Sequence, residues 1–212
     1  MRTKIAIIDY GRGNVQSIIN ALSKFDVDLV LTSDRETILN ADGVVLPGVG
    51  AFRAAMDELK KRDLVDTIKT YVDTGKFFLG ICLGMQLLFN KSDEFGETEG
   101  LGIIEGEVAH FSNTVTGKLP HISWTQIEGT CSAWRETIFK NIPENNSFYF
   151  VHSHVCIPQD AKHVLARTLY GGVQFCSSVR KGNVYGCQFH PEKSADSGLK
   201  VLNNFVELIR ES

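Results

Sequence analysis

The sequence has no apolar run that approaches the roughly 18–20 residues needed to cross a bilayer. The apolar stretch after Met1-Arg2-Thr3-Lys4 stops at Asp9, too short for the core of a signal peptide. The beginning of the chain is therefore expected to be a strand, and its place the cytoplasm. Basic residues are not in excess: 22 Lys and Arg stand against 25 Asp and Glu, a net charge of −3. Neither nucleic acid nor an anionic membrane is an expected partner. There is no C-x-x-C pair, and the five cysteines (Cys82, Cys131, Cys156, Cys176, Cys187) are odd in number and scattered. That pattern fits neither a disulfide framework nor a structural zinc site, and no metal is expected. Repeats, low-complexity runs and linkers are also missing, so 212 residues are expected to form one domain, 1–212. Glycines at 11 and 13 start a dinucleotide-type loop, but residue 16 is Gln and G-x-G-x-x-G is incomplete.

What is present centres on Gly80-Ile81-Cys82-Leu83-Gly84. An apolar segment reading as a short buried strand precedes it, and Met85-Gln86-Leu87-Leu88-Phe89 reads as the first turns of a helix. G-x-C-x-G is the sulfur counterpart of the G-x-S-x-G nucleophile elbow, in which a sharp strand-to-helix turn lifts one side chain off the sheet edge. Unpaired N–H groups and the partial positive charge of a helix start favour thiolate over thiol. A buried structural cysteine is the commoner fate of a cytosolic Cys, but two flanking glycines argue for the elbow. The other four cysteines read as packed small apolar residues.

The first half alternates strand and helix. Strands are predicted over 4–9, 28–32, 43–46 and 77–81, and helices over 15–24, 52–61 and 64–74, with Asn14 able to cap the first. This rhythm predicts an α/β fold whose central, mostly parallel sheet is flanked by helices. The second half is strand-rich, over 102–111, 123–127, 147–157, 163–170, 173–179 and 183–188, and predicts an additional antiparallel portion before a closing helix over 197–210. Sites in such folds lie at the carboxyl ends of the parallel strands, where Cys82 falls.

A nucleophilic cysteine needs a base, and the base needs an orienting acceptor. Gln188-Phe189-His190-Pro191-Glu192 supplies both: Pro191 stiffens the turn so that Glu192 can aim at the His190 imidazole. A capped loop histidine or a solvent-facing turn are the alternatives. A tetrahedral intermediate needs N–H donors. Glycines 48 and 50 let the backbone around Val49 and Gly50 turn such groups toward a ligand, with Leu83 N–H as a second donor; a plain Pro-Gly turn is the alternative. His152 and His154 alternate on one predicted strand face without a third ligand at suitable spacing, which argues against a metal pair.

Taken together, these stretches resemble the class I (triad) glutamine amidotransferases, whose flavodoxin-like glutaminase domain hydrolyses glutamine to glutamate and ammonia. The matches are Asp9-Tyr10-Gly11-x-Gly13-Asn14, Pro47-Gly48-Val49-Gly50-Ala51-Phe52, 80–89, Gly100-Leu101-Gly102-x-Ile104-x-Gly106, Pro120-His121-Ile122-x-Trp124, Tyr149-Phe150-Val151-His152-Ser153, Val179-Arg180-Lys181-Gly182 and 186–194. Within the family the chain is most similar to the glutaminase subunits of imidazole glycerol phosphate synthases, in histidine biosynthesis. The resemblance implies Cys82 as nucleophile through a thioester, His190 as general base and then acid, and Glu192 as its orienting carboxylate. It implies that Gln86, Glu94 and the backbone of Ser177, Ser178 and Val179 hold the substrate, although Glu94 taken alone reads as a solvated acid. It implies no cofactor, and a separate (β/α)8-barrel synthase subunit as partner. That partner receives the ammonia and makes imidazole glycerol phosphate and aminoimidazole carboxamide ribotide. Arg180 and Lys181 form a turn that the resemblance puts near the partner.

Two segments depart from the family. P-H-M-G-W-N becomes Pro120-His121-Ile122-Ser123-Trp124-Thr125, and V-H-S/T-Y becomes Val151-His152-Ser153-His154. Both are expected to face the synthase, so the changes bear on the partner and not on glutamine hydrolysis. They suggest a second assignment, a paralogue that feeds ammonia to the modification of a bacterial surface sugar.

Overall fold

A computed structural model of the chain describes residues 2–11, 13–111, 115–130, 134 and 136–212. Four short strands, β1 (Thr3–Ile8), β2 (Val27–Thr32), β3 (Gly43–Leu46) and β4 (Phe77–Ile81), are separated by helices α1 (Val15–Leu22), α2 (Arg35–Leu39), α3 (Phe52–Lys61) and α4 (Leu64–Asp73). α1 begins without a side-chain hydrogen bond from Asn14, contrary to the predicted cap. The strands pair in parallel in the order β2-β1-β3-β4, and β14 (Val184–Cys187) adds to β4, again parallel. Their alternation sorts side chains to two faces. Ile5, Ile7, Val45 and Leu79 pack toward α1 and the closing helix α6 (Ala195–Arg210). Ala6, Ile8, Val44 and Phe78 pack toward α3 and α4. Burial on both faces is why β1, β3 and β4 read as apolar runs, while the edge strand β2 carries Asp28 and stays partly exposed.

The second half continues the same sheet with antiparallel partners. β13 (Val173–Lys181) pairs with β14, β12 (Val164–Tyr170) and β11 (His154–Pro158), and β11 pairs with β7 (Ile104–His110). A separate two-stranded ribbon joins β8 (His121–Gln126) to β10 (Ser147–His152). The single strand predicted over 147–157 is thus two strands in two sheets, parted at Ser153. No Gly or Pro lies between 147 and 157, and nothing else in the segment tells which neighbour each half pairs with. The helix predicted after Cys82 is only α5 (Leu83–Leu87). The Leu87 and Leu88 carbonyls then accept from Leu101 and Ile103, and the chain turns into the strand β5 (Phe89–Ser92).

Three of the parallel strands position the site. Leu46 pairs with Gly80, and Ile81 with Cys187, so β3, β4 and β14 finish at one edge. The segments that continue them, 47–51, Cys82 and 188–190, therefore meet. The Arg180–Lys181 turn lies at the other end of β14, where Lys181 pairs with Val184, and is remote from Cys82.

Candidate active site

Cys82 sits between β4 and α5 with φ 54° and ψ −110°, a conformation that L-residues rarely adopt. The two flanking glycines make the turn possible. A Cβ on Gly84 would lie 1.9 Å from the Leu46 carbonyl oxygen, and one on Gly80 2.6 Å from that of Gly84. Cys82 N–H donates to the Cys187 carbonyl at 2.7 Å, which ties the elbow to β14. A helix of five residues carries little macrodipole. What it contributes is directed N–H groups, Leu83 among them, since the first turn leaves its N–H groups without intrahelical partners. The Cys82 sulfur lies 3.8 Å from Gln188 Nε2 and 3.9 Å from the Val151 carbonyl.

His190 is fixed from several sides. Its N–H donates to the Tyr149 carbonyl at 2.9 Å, and its carbonyl accepts from Ser194 Oγ, which in turn accepts from Tyr149 N–H. Its Nδ1 stands 2.7 Å from Glu192 Oε1, and the two side chains are 3% and 1% exposed. Pro191–Lys193 forms a single 3-10 turn that brings the carboxylate round to the ring. Burial alone would lower the imidazole pKa, but interaction with the Cys82 sulfur and with Glu192 raises it to about 10. Nε2 makes no hydrogen bond, and the Cys82 sulfur, on the same cavity, is the other group whose interaction raises the ring.

Cys82 and His190 line one cavity of about 350 Å³, together with Val49, Gly50, Leu83, Gln86 and Glu94, within the usual range for small-molecule sites. Gln86 Nε2 donates to Gln188 Oε1 at 3.0 Å and to the His154 carbonyl at 3.3 Å. Glu94 is not a solvated acid. Its Oε2 accepts from Phe52 N–H at the start of α3 (2.7 Å), and its Oε1 lies 3.7 Å from His154 Nδ1.

Ser177, Ser178 and Val179 are not on the cavity lining. They lie inside β13, where Ser178 Oγ donates to the Gly186 carbonyl and the Ser177 carbonyl accepts from Gln188 N–H. Neighbours on both edges of β13 keep them one layer back. Pro120 and residues Val151, His152, Ser153 and His154 line the cavity instead. These two segments were expected to concern only a partner. The break at Ser153 swings the second across the mouth. Gln188, which links Gln86 to the sulfur, was also missed; its signal was its place two residues before His190, on the same side of an extended segment. Of the other cysteines, Cys156, Cys176 and Cys187 are free and buried, with burial pushing each thiol up and Cys176 to about 12. Cys131 lies outside the described residues. No helix among the described residues is long and apolar enough to cross a membrane.

The family model described as glutamine amidotransferase class-I matches residues 6–208. The chain is 46% identical to the imidazole glycerol phosphate synthase subunit HisH 1 of Legionella pneumophila (strain Lens), over 97% of this chain and 100% of that one. It is 39% identical to the subunit HisH of Chlorobaculum tepidum, over 96% and 99%. Among solved structures, a glutamine amidotransferase superimposes with a TM-score of 0.70 at 20% identity, over 97% of this chain and 98% of that one. PurLQS from Thermotoga maritima gives 0.72 at 18% identity, over 99% and 100%. At those identities the structures speak for the fold alone.

Proposed function

The chain belongs to the class-I glutamine amidotransferases, and we propose that it is the glutaminase subunit of an imidazole glycerol phosphate synthase. It hydrolyses L-glutamine to L-glutamate and ammonia in the cytoplasm. The names of relatives that share 39–46% of its residues favour this assignment over the surface-sugar paralogue. The observation that carries the chemistry is the meeting of the Cys82 sulfur with the His190 imidazole, itself bound to Glu192, on a cavity walled by Gln86 and Glu94.

In this reading His190 holds the proton taken from Cys82 and the sulfur attacks the side-chain carboxamide carbon of glutamine. N–H groups of Leu83 and of the Val49–Gly50 loop receive the oxyanion. His190 then donates the proton to the leaving nitrogen, ammonia departs, and an enzyme thioester remains. His190 next takes a proton from water, which attacks the thioester and releases glutamate and the thiol. Glu192 holds Nδ1 and with it the orientation of the ring. Glu94 pairs with the α-ammonium of the substrate.

The synthase partner, a (β/α)8 barrel in a heterodimer, would cover the cavity mouth. Val49 on the cavity, and Leu119, Ile122 and Trp124 in the segment that contains the cavity residue Pro120, are large apolar residues left exposed. The test is glutamate release from free glutamine in the presence of a histidine-pathway synthase subunit and its ribulosyl carboxamide substrate. Wild type should turn over, and Cys82→Ala should lose at least a thousandfold. Turnover that persists in Cys82→Ala refutes the reading.

A further inference from the structure

Leading away from His152 on the cavity wall, the ribbon β8–β10 holds a run of polar side chains that the chemistry above does not use. His121 pairs across the ribbon with His152, and His121, Ser123 and Thr125 share the inward face of β8. His152 Nδ1 lies 2.9 Å from the His154 carbonyl, and His152 Nε2 lies 3.0 Å from His121 Nδ1. His121 Nε2 lies 2.8 Å from Ser123 Oγ and 2.9 Å from Thr125 Oγ1, and the two hydroxyls are 2.7 Å apart. The rings are caged. His121 lies between Phe150 and Tyr170 (centroids 5.0 and 3.8 Å), and His152 is near Phe111 and Phe175.

The proton positions in this run have one solution. A carbonyl can only accept, so His152 carries its proton on Nδ1. Burial lowers its pKa to about 3, so the ring is neutral and Nε2 must accept. His121 Nδ1 therefore donates. Burial lowers His121 to about 4, so that ring is neutral as well, and its Nε2 accepts from a hydroxyl of Ser123 or Thr125. Donation runs in one direction, from the hydroxyls through both rings to the His154 carbonyl. That carbonyl also faces Gln86, which must present nitrogen to it. Gln86 spends its other N–H on Gln188, and its Oε1 is left as the group that it can present to a ligand.

We infer that His152 is a positioning residue of the glutamine cavity, an inference that rests on the glutaminase reading above. Held in its Nδ1–H tautomer by His121, Ser123 and Thr125, it fixes the His154 peptide and, through it, the amide of Gln86 with Oε1 toward the N–H groups of the substrate. In the opposite tautomer a lone pair would face the His154 carbonyl, and both the peptide and the Gln86 amide would lose their orientation.

Two measurements test this. Long-range ¹H–¹⁵N spectra of the wild-type chain should place the proton of both His121 and His152 on Nδ1; a proton on Nε2 of either ring overturns the inference. In the same spectra, Ser123→Ala with Thr125→Ala should release the run and populate the other tautomer of His152, and an unchanged His152 overturns the role given to the hydroxyls. In steady-state glutamine hydrolysis with the synthase subunit, His152→Phe should raise KM for glutamine at least tenfold with kcat within threefold. His152→Asn, whose amide N–H₂ stands where Nδ1–H stood, should recover most of that loss. Equal KM in the three proteins, or a fall in kcat alone, overturns the proposal. A wild type that releases no glutamate refutes the glutaminase reading instead, and the tautomer measurement remains.

Discussion

The bond between His190 and Glu192 decides the state of the base. Both side chains are almost wholly buried, and the carboxylate offsets a desolvation that would otherwise discharge the ring. Removing one partner of such a buried pair leaves the other uncompensated, at a cost of about 3–5 kcal/mol. Glu192→Gln keeps an acceptor for Nδ1 but not the charge, and its –NH₂ group can turn toward the ring. Under the mechanism proposed above, it should lower kcat for glutamine at least a hundredfold, by analogy with the loss of the orienting acid from a serine triad. KM should change little, because Glu192 lines no part of the glutamine cavity. Stopped assays of glutamate release on the variant check both numbers. A KM effect larger than the kcat effect would show the carboxylate to be a binding group.

At the scale of elements, the ribbon β8–β10 has two faces with different duties. His121, Ser123 and Thr125 point inward, while Ile122 and Trp124, 56% and 52% exposed, point out. Large aromatic and aliphatic side chains near a site mouth are the usual anchors of an interface. Trp124→Ala should therefore weaken association with the synthase subunit at least tenfold and leave the urea midpoint of the isolated chain unchanged, since a half-exposed side chain contributes little to the core. Titration calorimetry beside equilibrium unfolding separates the two effects. The same ribbon marks the limit of what the residue pattern discloses. β1, β3 and β4 were legible because each is an apolar run followed by a helical period, whereas β14, parallel to β4, was not told apart from the antiparallel strands around it. The elbow was legible because glycine, cysteine and glycine at fixed spacing have few other uses. The parting of β10 from β11 was not legible, since no Gly or Pro marks a break at Ser153, where the chain passes into a different sheet. The place of His154 on the cavity followed the same error, while Pro120, before β8, was assigned to the partner by resemblance alone. Ser177, Ser178 and Val179 were placed by resemblance, and burial between neighbouring strands moves them off the lining.

Over the whole molecule, the histidines act on stability in opposite directions. His190 is raised to about 10, well above its ordinary value near 6.5. Its contribution is therefore complete below about pH 6.5, declines as pH climbs, and is gone once pH passes about 10. His121 and His152 are lowered to about 4 and about 3. Below about pH 6.5 the unfolded chain takes up protons that these caged rings refuse, so stability falls from there toward pH 3–4. Both limbs begin near the same pH, and the folded chain should be most stable at about pH 6–7. Urea midpoints between pH 4 and 10 should trace that dome. Glu192→Gln should flatten the alkaline limb, because the raised imidazole loses one of its two supports, and should leave the acid limb in place. His152→Phe should do the reverse, since it removes the ring that burial lowers furthest while His190 keeps its partner. A variant that moved both limbs together would mean that the ribbon and the Cys82–His190 pair share one titration, and the separate roles argued for them would fall together.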